Sequence, residues 1–185
     1  MNVRTVVLLI AGFSGLLLSG AETAAASSVN LVKDGNFSMK QTSSRAYGRW
    51  WVASLPKDCK LSYDTKDFKS SPKSLRLESC GKTIAVRQNL PDLKPDTKYK
   101  VSFFMKTEGV IPREKIGGAR LNICSDRNHW VPAKFQVGTQ SWTRYELEFT
   151  SGPETNGKVQ SYILLYLMNA SGKVWFDDIQ ITEVK

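Results

Sequence analysis

The sequence has one histidine and three cysteines in 185 residues, and both scarcities limit its chemistry. The cysteines are dispersed and lack Cys-x-x-Cys spacing, which argues against a cysteine metal site. The histidine, His129, lies five residues after Cys124. A catalytic pair needs a nucleophile and a base in a defined geometry, which nearness in sequence does not provide. We therefore interpret His129 as a solvated loop residue and predict no catalytic residue.

Acidic residues are in the minority, with 17 Asp and Glu against 26 Lys and Arg, a formal net charge of +9. The basic residues are scattered and form no arginine-rich block, so we predict no nucleic-acid binding. Such a surface favours solubility and also attracts anionic polymers or cell surfaces. Glycoside hydrolysis needs two carboxylates facing each other across a cleft. No such pairing is visible among the candidates Glu78, Glu108, Glu114, Glu146, Glu148 and Glu154.

Long apolar runs are missing beyond the first residues. Residues 6–18 are apolar, follow the basic Arg4 and precede small residues up to Ala26. The run is short for a membrane span, and the pattern is typical of a secretory signal peptide. We predict a signal peptide over residues 1–26 and a mature domain over residues 27–185. The protein is then secreted, extracellular or periplasmic, with no membrane span.

No long stretch keeps a helical period, whereas short runs with period two recur between turn residues. Regular short strands at this spacing predict an all-β fold, a sandwich or a barrel. The predicted strands cover residues 29–32, 48–53, 59–63, 74–80, 83–90, 98–107, 119–124, 141–150, 160–168 and 174–181.

Two of the cysteines stand at the ends of neighbouring predicted strands. Cys59 opens one strand and Cys80 closes the next. If the two strands form a hairpin, the cysteines lie at matching ends. We therefore predict a Cys59–Cys80 disulfide, which an exported protein can keep, with Cys124 outside the bridge.

The strand over residues 160–168 is apolar on both faces. Ile163, Leu165 and Leu167 suit the core, which leaves Tyr162 and Tyr166 on the opposite face. In the same way, Phe104 points away from the core face of the strand over residues 98–107. An apolar outer face is either covered by a loop or used for binding.

The last strand places Asp177 and Asp178 directly after two aromatic residues. One of the two must face inward unless a bulge re-aims it. An inward carboxylate needs a cation or several N–H donors. The sequence leaves both alternatives open, a carboxylate that caps backbone amides and a structural metal ligand.

Five segments, taken in order, resemble one known group of domains. They are 30–37 (Asn-Leu-Val-Lys-Asp-Gly-Asn-Phe), 73–77 (Lys-Ser-Leu-Arg-Leu), 86–103 with its Leu-Lys-Pro-Asp-Thr-Lys-Tyr, 138–143 with Trp142, and 174–179 with Trp175. In their order and spacing they resemble the CenC-type carbohydrate-binding modules, the group of families four, nine and twenty-two. The resemblance covers nearly all of the mature chain. It implies a β-sandwich jelly roll of the galactose-binding-like type.

The resemblance also implies a function, the non-catalytic binding of polysaccharide or oligosaccharide in an aromatic-lined groove on one sheet. Aromatic rings pack against the apolar faces of sugars, and polar side chains bind the hydroxyls. Because adjacent strand residues face opposite sides, we expect one of Trp50 and Trp51, and one of Arg87 and Gln88, to face outward. The candidate residues are Trp50, Trp51, Arg87, Gln88, Phe104, Trp130, Tyr162 and Tyr166.

Members of the group often hold a structural calcium with the help of an acidic residue after the conserved phenylalanine. Here Ser38 stands at that position, and the remaining candidate ligands are Asp34 and Asp177. Calcium needs several oxygen ligands. Such modules are usually joined to glycoside hydrolases, so a secreted enzyme or a cell-surface molecule is a candidate partner. The alternatives are an adhesion or structural protein that uses the fold for protein contacts, and a small glycoside hydrolase.

Overall fold

The computed structural model describes residues 29–70, 72–125, 129–153 and 161–185. These residues form strands and no helix, so they contain no helix that could cross a membrane. The predicted signal peptide lies outside the described residues. The strands are β1 (Gln41–Ser43), β2 (Ala46–Tyr47), β3 (Trp50–Ser54), β4 (Lys60–Asp64), β5 (Ser74–Cys80), β6 (Ile84–Asn89), β7 (Lys98–Pro112), β8 (Gly118–Cys124), β9 (Trp130–Pro132), β10 (Gly138–Thr150), β11 (Tyr162–Met168) and β12 (Ala170–Glu183).

The strands form two antiparallel sheets packed face to face. The seven-stranded sheet has the order β1-β2-β3-β6-β11-β8-β9, and the five-stranded sheet has the order β10-β7-β12-β5-β4. The chain changes sheet repeatedly, so strands that are distant in sequence become neighbours, as β6 and β11 do. The prediction of an all-β sandwich is confirmed.

The core lies between the sheets and follows the period-two pattern. On β11, the side chains of Ile163, Leu165 and Leu167 are fully buried, as the alternation predicted. Phe103 and Phe176 bury their rings from the opposite sheet. Burying a large apolar side chain contributes roughly 1.5–3 kcal/mol, so these positions fix which face of each strand points inward.

The strand predicted over residues 29–32 does not form. These residues lack strand pairing, although the Leu31 N–H donates to the carbonyl of Ile181 at 2.8 Å. In contrast, β7 continues past its predicted end to Pro112, because its last residues pair with the start of β12. Pairing with a distant strand decides both outcomes, and a local pattern does not contain that information.

A bulge in β12 answers the question raised by the two adjacent aspartates. The register to β7 shifts between Asp177 and Gln180, and Asp178 takes a left-handed backbone conformation with φ 47°. The extra residue lets Phe176 and Ile179 both face the core. Asp177 therefore points to the outer side of the five-stranded sheet.

The carboxylate of Asp177 is fully buried there beneath the loop between β4 and β5. One oxygen accepts from the N–H groups of Lys69 at 2.7 Å and Ser70 at 2.9 Å. The other accepts from the Ser70 hydroxyl at 3.1 Å and the Asp178 N–H at 2.7 Å. These four hydrogen bonds fit the first alternative, a carboxylate that caps backbone amides.

The predicted Cys59–Cys80 disulfide is absent, and both residues are free cysteines. The hairpin itself forms, since β4 pairs with β5 in an antiparallel register with Lys60 opposite Glu78. Continuing that register places Cys59 opposite Ser79, and the Cys59 thiol lies 3.4 Å from the Ser79 hydroxyl. Cys80 is one residue further along, so its side chain points to the other face and is exposed. Two cysteines on opposite faces of a sheet cannot be bridged without backbone movement.

Candidate functional site

The outer face of the seven-stranded sheet gathers most of the candidate residues. Reading across five strands, the register pairs Trp51 with Arg87, Arg87 with Leu164, Leu164 with Asn122 and Asn122 with Pro132. Residues that pair directly share a face of a sheet. We call this surface the aromatic face and define it by Trp51, Arg87, Arg120, Asn122, Trp130, Phe135, Tyr162, Leu164 and Tyr166.

A second row on the aromatic face is centred on Tyr162. Its ring packs edge-on against Trp130, with 5.7 Å between ring centroids. The guanidinium carbon of Arg87 lies 4.0 Å from the Tyr162 ring centroid, within cation–π range. The Nε atom of Arg87 donates to the side-chain oxygen of Asn89 at 2.9 Å. These contacts fix both the ring and the guanidinium group.

A third row holds Tyr166 and Arg120, which lie opposite each other on β11 and β8. The guanidinium carbon of Arg120 lies 4.0 Å from the centroid of the Phe135 ring. Tyr162 and Tyr166 are four residues apart, which corresponds to about 13 Å along an extended strand. The aromatic face is therefore long enough for an extended ligand.

The exposure of the side chains varies across the aromatic face. Trp51 and Trp130, on β3 and β9, are 59% and 44% exposed. Leu164, on the strand between them, is only 5% exposed although its side chain points to the same face. A ligand that lies across Leu164 would meet a tryptophan on each side.

Two polar atoms of this face are buried without a hydrogen-bond partner. They are the Nε atom of Arg120 and the side-chain oxygen of Asn122. Unsatisfied buried polar atoms are costly and rare, so each calls for a physical explanation. Both residues lie on the outward-facing side of β8, with these two atoms beneath the surface of the aromatic face.

Burial governs the ionisation of the aromatic face. It raises the pKa of Tyr162 to about 12, with a contribution from the Cys124 thiol, while the charge of Arg87 acts in the opposite direction. Burial also raises the pKa of Tyr166 and lowers the pKa of Arg120. Both phenols are therefore neutral at physiological pH and able to donate a hydrogen bond.

A comparison with known protein families identifies the family of this chain. The family model CBM_4_9_1, described as BppA domain 1, matches residues 32–181. The chain belongs to this family of carbohydrate-binding modules. The sequence resemblance to the group of families four, nine and twenty-two is thus confirmed. Among curated proteins, none matches the module significantly in sequence.

Solved structures place the module among jelly rolls. It is similar to the CBM22-1 xylan-binding domain of Paenibacillus barcinonensis Xyn10C, with 17% identity, a TM-score of 0.59, and coverage of 88% of this chain and 99% of that one. A cyclase from Fischerella sp. TAU gives 13% identity, a TM-score of 0.61, and coverage of 85% and 98%.

The enzymatically active domain of bacteriophage CBA120 tailspike protein 4 is also similar, with 14% identity and a TM-score of 0.60. That match covers 84% of this chain, which spans only 21% of the tailspike chain. Identities this low show the fold alone, and they confirm the predicted galactose-binding-like jelly roll.

The module brings five of the eight predicted binding residues together and separates three. Trp50 is fully buried, and its ring N–H donates to the carbonyl of Asp34 at 3.0 Å. Gln88 is 3% exposed and exchanges two hydrogen bonds with the backbone of Lys33, at 2.7 and 2.6 Å. Both side chains face the core and are not accessible to a ligand, which corrects those two predictions. Their neighbours Trp51 and Arg87 face outward, as the alternation requires.

Phe104 is the third separated residue, because β7 belongs to the five-stranded sheet. The loop between β4 and β5 lies over that side of the module. Lys69 of this loop places its Nζ atom 5.4 Å from the Phe104 ring centroid, and Asp67 accepts from the Trp142 ring N–H at 2.7 Å. Phe104 is therefore not part of the aromatic face.

Sequence reasoning missed Arg120, Asn122 and Phe135. A signal for the first two was present, since Ala119, Leu121 and Ile123 alternate as a core face and leave Arg120 and Asn122 pointing outward. Phe135 carried no such signal, because it lies after β9 outside any strand. Its contact with Arg120 places it on the aromatic face.

The two candidate calcium ligands have separate surroundings. Asp34 accepts from the Met39 N–H at 2.9 Å and the Ser38 hydroxyl at 3.3 Å through one oxygen, while its other oxygen is buried without a partner. The oxygens of Asp177 are occupied by the loop amides described above. Within the described residues, no group of three or more His, Cys, Asp or Glu is arranged to hold a metal ion.

Proposed function

We propose that this module binds an oligosaccharide or polysaccharide without catalysis, through the aromatic face, after secretion. One observation carries the proposal: Trp51, Arg87, Trp130, Tyr162 and Tyr166, chosen from the sequence as sugar-binding candidates, lie on a single sheet face. Membership of a carbohydrate-binding family supports the same class of ligand. The xylan-binding domain among the similar structures supports it further.

The chemistry of the face suits a sugar chain. The exposed tryptophans offer apolar rings to the C–H faces of pyranose units, and aromatic contacts of this kind contribute more than their area alone. The guanidinium groups of Arg87 and Arg120 and the neutral phenol of Tyr166 can donate hydrogen bonds to hydroxyl groups. An apolar lining with a few polar groups is the usual composition of a small-molecule site.

The arrangement of carboxylates supports binding rather than hydrolysis. Glu108, Glu146 and Glu148 belong to the five-stranded sheet and pair with lysines at 2.6–2.8 Å. They lie on the side of the sandwich away from the aromatic face. His129 is exposed, with its Nδ1 atom 2.9 Å from the Ser125 hydroxyl. None of the three glutamates is positioned to act on a ligand bound at the aromatic face.

The rival reading is an adhesion protein that uses the same fold to bind another protein. A flat, charge-rich outer sheet without exposed aromatic residues would favour that reading. The exposed residues of the aromatic face instead include two tryptophans, Trp51 and Trp130. This difference favours the carbohydrate ligand.

Isothermal titration of the mature protein against neutral and acidic glycans tests the proposal. Trp51→Ala should weaken binding to whichever glycan binds, because it removes an exposed ring from the face. Phe68→Ala is the matched control, since Phe68 is 43% exposed on the loop between β4 and β5. Equal loss in both variants, or no binding to any glycan, would contradict the proposal. Secretion is tested separately by sequencing the N-terminus of exported protein, which should begin at Ser27.

A further inference from the structure

We infer that the glycan bound at the aromatic face carries carboxylate groups, as a polymer of uronic acids does. The inference rests on the proposed function and goes beyond it by naming the class of sugar. It depends on how charge is divided between the two sheets, on the surroundings of two arginines and on the distance between them.

Charge is distributed very unevenly between the sheets. None of the seven strands in the aromatic-face sheet contains an aspartate or a glutamate. The same seven strands contain two basic residues, Arg87 and Arg120. The five-stranded sheet instead mixes the signs, and its acidic residues are Asp64, Glu78, Glu108, Glu146, Glu148, Asp177, Asp178 and Glu183.

Both arginines of the seven-stranded sheet belong to the aromatic face, and neither has an ionic partner among the residues that the structure describes. Arg87 pairs with Leu164 across the sheet and Arg120 with Tyr166, which places both on the outer side. Neither takes part in an ion pair within the described part of the chain. On the other sheet, by contrast, Lys100 and Glu146 pair at 2.8 Å.

The local packing prepares the guanidinium groups for an anion. Each is held against an aromatic ring at 4.0 Å, Arg87 on Tyr162 and Arg120 on Phe135. Aromatic contacts hold each group in place while N–H groups at its edge remain able to donate, and this planar fork matches a carboxylate. The Nε–H of Arg120 is already buried without an acceptor. A partly desolvated cation gains more from an anion than from a neutral hydroxyl.

The separation of the two arginines points to a polymer. They lie on the strands either side of β11 and are offset by two residues along it. Strand geometry then puts their Cα atoms about 12 Å apart. Because one guanidinium group is held on Tyr162 and the other on Phe135, a chain that carries an acid on successive units can meet both.

The experiment compares ligands that differ in the carboxylate. Polygalacturonate and its methyl ester share a backbone, and esterification removes the negative charge. Titration calorimetry measures the binding of the mature protein to both polymers, to neutral xylan and to dextran sulfate. The four affinities distinguish carboxylated, neutral and sulfated glycans as ligands. The expected result is that polygalacturonate binds at least about tenfold more tightly than its ester, in line with the strength of charge-assisted hydrogen bonds.

Variants locate the effect on the face. Arg87→Gln and Arg120→Gln should each weaken polygalacturonate binding about tenfold while thermal melts show a folded protein. Arg144→Gln is the matched control, because Arg144 is an exposed arginine on the five-stranded sheet. Arg120→Lys keeps the charge without the planar fork and should recover only part of the affinity, which tests the geometry if the glutamine variant unfolds.

The outcomes distinguish this inference from the proposed function. Tight binding to xylan or to the methyl ester, unaffected by either arginine variant, would overturn the inference and leave the proposed function standing. Binding to none of the polymers would overturn both. An equal loss in Arg144→Gln would assign the attraction to net charge and overturn the inference. A preference for dextran sulfate, lost in the Arg87 and Arg120 variants, would overturn the choice of carboxylate.

Discussion

Arg87 and Tyr162 form a cross-strand stack, with the guanidinium carbon 4.0 Å from the ring centroid. Trp130 meets the same ring edge-on from the other side of β11. The Tyr162 ring is therefore occupied by protein on two sides, and it positions Arg87 and Trp130 for a ligand. Tyr166 lies four residues further along β11. It has no aromatic ring packed against it within the described residues.

This difference predicts that Tyr166 contacts the ligand through its ring. Tyr166→Ala should weaken glycan binding by about 1–3 kcal/mol, by analogy with the stacking of bases on aromatic side chains. The fold should survive, because Ile163, Leu165 and Leu167 supply the core face of β11. Calorimetric titration together with a thermal melt measures both quantities. A melting temperature that falls sharply, with binding lost only through unfolding, would make Tyr166 a packing residue.

The alternation of residues along the strands predicted part of the aromatic face from the sequence. It placed Tyr162 and Tyr166 opposite the buried residues of β11, and it required one residue of the pair Trp50–Trp51 to point outward. Alternation alone could not decide which of the two tryptophans points outward, because it shows only that neighbouring side chains point to opposite faces. The choice is made by Trp50, whose ring N–H finds the Asp34 carbonyl in the interior.

Other features depend on contacts that are distant in sequence. Gln88 is buried because the backbone of Lys33, 55 residues away, satisfies its amide. Phe104 is separated from Tyr166 because β7 and β11 join different sheets, and the period-two pattern does not encode sheet membership. The bulge at Asp178 also depends on a distant contact, because it is defined by the pairing of β12 with β7.

The register of β4 and β5 predicts the reactivity of two thiols. Cys80 is exposed and should react readily with a thiol reagent in the folded protein, whereas the buried Cys59 should react only on unfolding. Peptide mapping after timed alkylation measures the two rates. Cys80→Ser is the control that identifies the fast site. Recovery of a disulfide-linked peptide containing both residues would show that the register differs in solution.

The half-buried phenol of Tyr162 predicts a loss of stability at alkaline pH. Because the pKa of Tyr162 is raised from 10.0 to about 12, the folded protein keeps this proton while the unfolded chain releases it. The stabilisation is complete below pH 10 and is lost as the pH rises toward 12, since folding then requires proton uptake. Urea unfolding at pH 8 to 12 should show a shallower decline in Tyr162→Phe than in the parent protein. An identical decline in both proteins would contradict the assignment.

The buried carboxylate of Asp177 predicts a large loss of stability when this residue is replaced. It is fully buried and accepts four hydrogen bonds, from the backbone N–H groups of Lys69, Ser70 and Asp178 and from the Ser70 hydroxyl. Asp177→Asn turns one acceptor into a donor that faces N–H groups, so the free energy of unfolding should fall by about 3 kcal/mol. Urea denaturation measures this value.

Asp178→Asn is the matched control for that measurement. Asp178 is a half-buried neighbour in a left-handed conformation, which asparagine tolerates well, and its oxygen accepts from Gln180 at 2.8 Å. The control should therefore change stability by less than about 1 kcal/mol. Calcium also tests what balances the charge of Asp177. If the amides of the loop between β4 and β5 do so, rather than a cation, calcium should change the melting temperatures of the two variants alike. A melting temperature that rises with calcium in the parent protein and in Asp178→Asn, but not in Asp177→Asn, would assign Asp177 to a metal site instead.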